Sequence, residues 1–235
     1  MLVKGLIQRE RTPLPFILYA LYLYYSGLSL RCVSRALEHV MKRSHNAIWL
    51  WIQRFSKLTE YFQVGRVGCV AIDESWFQVG GHEAWLWIAV EPYERKVLGV
   101  YVSRHRNILV AELILAQLKA KYGVKPIYSD GAVWYPDACR SLGLRHHVYG
   151  DDLRGYVERT IQCFKDRIES FDDYFPCRRL RCPMNHVKAW LSLYAFYYNF
   201  IRRHEALLET SFKPTKATEY ETLTDLIEQK LKTLT

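Results

Sequence analysis

Three acidic residues stand in stretches that otherwise read as core. Asp73 interrupts the apolar and aromatic run VAIDESWF at residues 70–77, Asp130 closes the strand-like VKPIYSDG, and Glu158 lies in GYVERTIQCFKDRIESF at residues 155–171. A carboxylate drawn into such surroundings costs on the order of several kcal/mol unless a cation or a set of donors meets it. Read singly, Asp73 ends its strand in a solvated turn, SDG is a common turn with Asp as cap, and Glu158 is a solvated helix acid. Read together they say more. If the first and fourth strands are neighbours, Asp73 and Asp130 meet at one edge of a sheet. Along the helix, Val157, Ile161, Phe164 and Ile168 step by four, three and four and form the face packed on that sheet, while Glu158, Gln162, Lys165 and Glu169 repeat the steps one residue on. A Glu and a Lys therefore share one side of a helix beside the sheet. Strand alternation turns Glu74 to the face opposite Asp73, which gives it a structural role.

The elements that must position these residues follow from the apolar pattern. VGCVAIDESWFQVG, HEAWLWIAVEP and KVLGVYVS alternate as three antiparallel strands, joined at Gly80-Gly81 and at Pro92-Tyr93-Glu94-Arg95. ILVAELILAQLKAKYG is an amphipathic helix stopped by Gly123, VKPIYSDGAVWY brings a fourth strand ending at Asp130-Gly131, PDACRSLG is a short helix and LRHHVYG a fifth strand. A meander followed by crossover connections implies an α/β fold with a mixed five-stranded sheet flanked by helices.

The first sixty residues are helical. SLRCVSRALEHVM places Leu30, Val33, Ala36, Leu37, Val40 and Met41 at helical spacing with Ser29 as cap. After the turn Lys42-Arg43-Ser44, Ser44 caps HNAIWLWIQRFS, whose Ile48, Trp51, Ile52 and Phe55 form an inward stripe while His45, Asn46, Trp49 and Gln53 face away. Two short helices and a tight turn, the second helix opening with polar residues behind two cations, is the layout of a helix-turn-helix; a plain helical hairpin with a basic face is the other reading.

Charge points to an acidic polymer as partner. The chain of 235 residues carries a formal +9 and a pI near 9.2. Residues 1–60 hold nine Lys and Arg against three acids, residues 61–158 eleven against eleven, and residues 159–213 ten against six. A neutral middle between basic flanks suits a molecule whose flanks grip phosphates while its middle keeps acids free. LPFILYALYLYYSGLSL, residues 14–30, imitates a signal peptide or a short membrane span. Its four tyrosines, its lack of a small-x-small cleavage site and the basic helix that follows make it a core helix instead. Of the six cysteines only Cys177 and Cys182 lie close together; no further ligands complete a zinc set, and the thiols read as reduced.

IDES on the first strand, YSDGAVWY after the fourth and YVERTIQCFKDR on the helix beyond, in that order, resemble the DDE transposases and integrases with a ribonuclease-H-like core. They are most similar to the short prokaryotic transposases of the "insertion sequence six" group, which begin with a helix-turn-helix. FYYNFIRRHEAL at 196–207 and KPTKATE at 213–219 resemble the late helix and tail of that group. The resemblance implies a helix-turn-helix domain at 1–62, a catalytic domain at 63–213 and a tail at 214–235. It implies a catalytic and metal-binding triad of Asp73, Asp130 and Glu158, with Asp73 bridging two Mg²⁺ or Mn²⁺ ions about 4 Å apart, Asp130 holding one and Glu158 the other. The implied activity is cleavage at the ends of an insertion sequence and transfer of the freed 3′ ends into target DNA, by a homodimer or larger assembly in the nucleoid of the cytoplasm, with no membrane involved. Lys42, Arg43, Ser44, His45, Asn46, Trp49 and Gln53 would then contact double-stranded DNA at the terminal inverted repeats, and Arg159, Gln162 and Lys165 would hold DNA beside the triad. A nuclease that only hydrolyses and an inactive transposase-derived repressor are the rival readings. The interval from Asp130 to Glu158 is shorter than the group's usual one, and Gly155 stands near where many relatives carry Asn.

Overall fold

A Pro-initiated helix, α1 (Leu14–Tyr25), opens the described part of the chain, followed by α2 (Leu30–Ala36) and α3 (His45–Phe55). The structure is a computed structural model that describes residues 11–61, 64–79, 81–169, 183–204 and 209–210. Both expected caps form: the Ser29 hydroxyl accepts from the Cys32 N–H at 3.1 Å and the Ser44 hydroxyl from the Ala47 N–H at 3.3 Å. The stripe Ile48, Trp51, Ile52 and Phe55 is buried, as are Ile17, Leu18, Leu21 and Tyr24 of α1 and Val33 of α2, and the three helices pack on one another. The helix expected to run to Met41 stops at Ala36, and Val40 is left 65% exposed. Here the backbone tightens, with the N–H groups of Glu38 and Val40 reaching back only three residues. Ser34 also donates to the Arg43 carbonyl at 2.5 Å, which draws the chain into its turn.

The middle of the chain builds a five-stranded sheet in the order β3-β2-β1-β4-β5. Strands β1 (Val70–Val79), β2 (His82–Glu91) and β3 (Lys96–Ser103) form the expected antiparallel meander. Then come α4 (Ile108–Tyr122), β4 (Ile127–Ser129), α5 (Trp134–Ser141), β5 (His146–Val148) and α6 (Asp151–Glu169), with β4 parallel to both β1 and β5. Asn107 caps α4 and Gly123 ends it at φ +80°, a conformation that L side chains resist. Val157, Ile161 and Phe164 of α6 are buried, and that helix packs on β1 and β2. The mixed five-stranded sheet flanked by helices is the arrangement expected from the sequence.

A long helix, α7 (Met184–Phe200), is followed by a short antiparallel pair, β6 (Arg203–His204) and β7 (Glu209–Thr210). The chain divides into two compact units, Met1–Phe62 with Phe196–Thr235, and Gln63–Ala195. Residues 196–204, which the sequence reading places in the catalytic segment, fall in the same unit as the N-terminal helices. Among the described residues Tyr197 stacks its ring on Tyr25 at 6.0 Å, and its hydroxyl lies 3.3 Å from that of Ser26. In the other unit Tyr194 of α7 meets Phe164 edge-on at 4.7 Å and donates to the Cys163 carbonyl. Cys177, Cys182 and the 214–235 tail lie outside the described residues.

Candidate active site

The sheet order makes β1 and β4 neighbours, and this carries Asp73 and Asp130 to the carboxyl ends of adjacent parallel strands. Each sits two residues past the last paired residues, Ala71 and Tyr128. Asp73 is half-buried, and its Oδ1 accepts from the Glu74 N–H at 2.8 Å. Burial pushes its carboxyl up to about 7. Glu74 and Asp130 add to the rise by repulsion, against the lowering effects of the Glu74 N–H and the Tyr149 hydroxyl. Asp130 is exposed, and its Oδ1 accepts from the Ala132 N–H at 3.0 Å in a turn that Gly131 permits at φ +88°.

Tyr149, just past β5, is the residue that sequence reasoning missed on this face. Its hydroxyl favours the ionised form of Asp73, and its N–H donates to the Ser129 carbonyl at 3.0 Å, which ties β5 to the strand that delivers Asp130. Burial first, then the two aspartates, push the phenol far above its ordinary value, so it remains a donor. On the opposite face, Glu74 has a fully buried side chain held by two partners. Arg106 Nε donates to Oε1 at 2.7 Å, and the Tyr135 hydroxyl donates to Oε2. The Arg106 guanidinium lies between the rings of Trp85 and Trp134, 4.8 and 4.5 Å from their centroids. The structural role expected for Glu74 has this physical content; the one hint in the sequence was a buried acid in need of a cation.

Glu158 is exposed on α6, one residue beyond the buried Val157, as are Arg159 and Gln162; Lys165 is half-buried. Gln162 Nε2 donates to Asp166 at 2.5 Å. The structure brings Asp73 and Asp130 together but does not draw Glu158 in with them: among the described residues no three His, Cys, Asp or Glu side chains form a group able to hold a metal ion. Three like charges repel at short range, and the two aspartates alone already do so. The donor chemistry nonetheless fits a hard divalent cation. Two carboxylates on separate strands, one of them losing stability when ionised, are relieved by Mg²⁺ or Mn²⁺, which takes few protein oxygens and keeps its waters.

In the N-terminal unit Lys42, Ser44 and Asn46 are exposed, while His45, Trp49 and Gln53 are half-buried at the start and outer side of α3. Arg43 is held differently from an open phosphate-gripping cation. Its guanidinium donates to the Thr12 hydroxyl at 2.7 Å and to the carbonyls of Lys42 and Arg11 at 2.9 and 3.2 Å, and so fastens the turn before α3 to the chain ahead of α1.

Two aspartates thus end adjacent strands, and the helix that carries Glu158 packs on β1. A family model described as a DDE domain, that of IS240-type transposases, matches residues 67–206. The chain belongs to this DDE transposase family. Uncharacterized protein MJ0017 of Methanocaldococcus jannaschii is 30% identical over 200 residues, 85% of this chain and 92% of that protein. Among solved structures, the DDE chain is similar to the catalytic core domain of BIV integrase, with a TM-score of 0.43 and 22% identity over 70% of this chain and 97% of that one. It is also similar to the HTLV-2 integrase catalytic core domain in complex with magnesium, with a TM-score of 0.46 and 16% identity over 62% of this chain and 94% of that one. No described helix of the DDE chain is long and apolar enough to cross a membrane.

Proposed function

We propose that this DDE chain is a DNA transposase that cuts at the ends of an insertion sequence and joins the freed 3′ ends to target DNA. The observation that carries the reading is the meeting of Asp73 and Asp130 at the ends of adjacent strands, within a chain of the DDE transposase family. Asp73 and Asp130, with Glu158 from α6, are the residues that would hold one or two Mg²⁺ or Mn²⁺ ions. When bound, such ions activate an attacking oxygen and stabilise the leaving one in an in-line displacement.

The remaining work falls to the chain itself. Asp73 gives up its proton to become a ligand, and the hydroxyl of Tyr149 favours the ionised form. Lys165, two helical turns along α6 from Glu158, is the cation suited to hold the phosphate of a cut strand, with Arg159 and Gln162 nearby. Holding two DNA segments at once is what a joining reaction needs and a hydrolysis does not. Lys42, Ser44, His45, Asn46, Trp49 and Gln53 form the DNA-reading edge of a helix-turn-helix, with Arg43 bracing the turn that presents them. Double-stranded DNA is the partner, engaged by at least two copies of the chain because an element has two ends.

The test is a paired assay in Mn²⁺ on duplex oligonucleotides carrying the element's end, one uncut and one with the 3′ end already freed. A transposase cuts the first and joins the second to unrelated duplex. Cutting without any joining by the wild-type chain would replace this reading with that of a nuclease.

A further inference from the structure

Nothing in the sheet's own hydrogen bonding fixes the distance between Asp73 and Asp130. The β1–β4 pairing ends at Ala71 and Tyr128, two residues short of each acid, and from there the two strands are free to splay. Two ionised carboxylates at the ends of neighbouring strands repel one another and favour splaying. Besides Tyr149, which is bonded to Ser129 and acts on Asp73, a second link resists that repulsion.

A continuous set of hydrogen bonds joins the two acids by way of the opposite face of β1. Asp73 Oδ1 accepts from the Glu74 N–H at 2.8 Å. The Glu74 carboxylate accepts from the Tyr135 hydroxyl, the Tyr135 N–H donates to the Ala132 carbonyl at 3.1 Å, and the Ala132 N–H donates to Asp130 Oδ1 at 3.0 Å. Neither end can move without dragging Glu74 or the first turn of α5. Arg106 stiffens the middle of this link, because it grips the other Glu74 oxygen while clamped between Trp85 of β2 and Trp134 of α5. A buried charge is poor material for stability alone, since well-packed apolar residues do that at least as well. A fixed orientation is what the charge adds.

We propose that Glu74, Arg106 and Tyr135 are positioning residues, a strut behind β1 that sets the separation and aim of the Asp73 and Asp130 carboxylates and thereby the affinity of the site for a divalent cation. The strut rests on the reading that these aspartates hold metal. It would act in the way that outer hydrogen bonds tune a metal centre through the ligands they orient.

The experiment titrates Mn²⁺ into the full chain by calorimetry at neutral pH and records thermal unfolding in chelator for the same samples. The variants are Y135F, which removes one hydroxyl from a packed ring, R106K, which keeps the charge but not the flat stack, and D73N. The strut predicts that Y135F and R106K remain folded and bind Mn²⁺ about 10–100-fold more weakly, the range found when an outer partner of a ligand is removed. D73N should lose the site. If Y135F unfolds, R106K decides alone. Wild-type Mn²⁺ affinity in the folded variants, with binding lost in D73N, would overturn the strut and leave the metal site standing. Equal Mn²⁺ binding by D73N and wild type would instead remove the metal reading, and the strut with it.

Discussion

Tyr149, just past the strand that flanks Asp130, acts on Asp73 through its hydroxyl, so that strand influences the acid on the far side as well. The hydroxyl stabilises the ionised form of Asp73 and partly offsets the effect of burial, which holds the group up at about 7. Tyr149→Phe removes the donor and leaves the ring, so the Asp73 pKa rises further and fewer molecules present an ionised ligand at neutral pH. The expected result is a cleavage profile whose rising limb moves to higher pH, with a loss of about threefold to tenfold at pH 7 and little at pH 9. An equal loss at every pH would show that the hydroxyl acts in some other way.

The same raised pKa makes a statement about stability. The folded chain holds the Asp73 proton more tightly than the unfolded chain, where the ordinary value is 3.8. The resulting stabilisation is fully present below about pH 4 and is lost as the pH rises through about 7. Without divalent cation the unfolding midpoint should fall between about pH 5 and pH 8, and Asp73→Asn should flatten this part of the curve. Added Mg²⁺ should raise the midpoint more at the higher pH, because only the ionised form binds it. A midpoint insensitive to pH in both chains would contradict the burial argument.

Lys42 and Arg43 are neighbours with opposite expectations. Lys42 is exposed, so Lys42→Ala should weaken binding to element-end DNA and lower the steepness of its salt dependence by about one ion. Arg43 is occupied by Thr12 and two carbonyls, so Arg43→Ala should cost about 1–3 kcal/mol of stability, seen in thermal unfolding. Variants that behave in the reverse way would exchange the two roles.

Much of this arrangement was legible in the sequence because apolar periodicity records which side chains face a core. The four-residue stripe from Ile48 to Phe55, the buried Val157, Ile161 and Phe164, and the caps at Ser29 and Ser44 all follow from spacing alone. The proximity of Asp73 and Asp130 needed one further step, the assumption that β1 and β4 are neighbours, and the sheet order supplies it. Periodicity carries no information about which polar groups meet over long separations. Tyr135 lies 61 residues from its partner Glu74 and Arg106 lies 32 away, so neither could be paired with it in advance. The early end of α2 was hidden for the same reason: the apolar spacing continues to Met41, while the bond from Ser34 to the Arg43 carbonyl turns the chain.

The central claim is that Asp73, Asp130 and Glu158 serve metal-dependent strand cleavage. It is tested most directly by measuring cleavage of an element-end duplex in Mn²⁺ by wild type, Asp73→Asn, Asp130→Asn and Glu158→Gln, with binding of the same duplex measured in parallel. The account predicts cleavage by the wild type that chelator abolishes, cleavage reduced to background in all three variants, and DNA binding within about twofold of wild type, because none of the three is among the residues proposed to grip DNA. Full Mn²⁺-dependent cleavage by Asp73→Asn, Asp130→Asn or Glu158→Gln would contradict it.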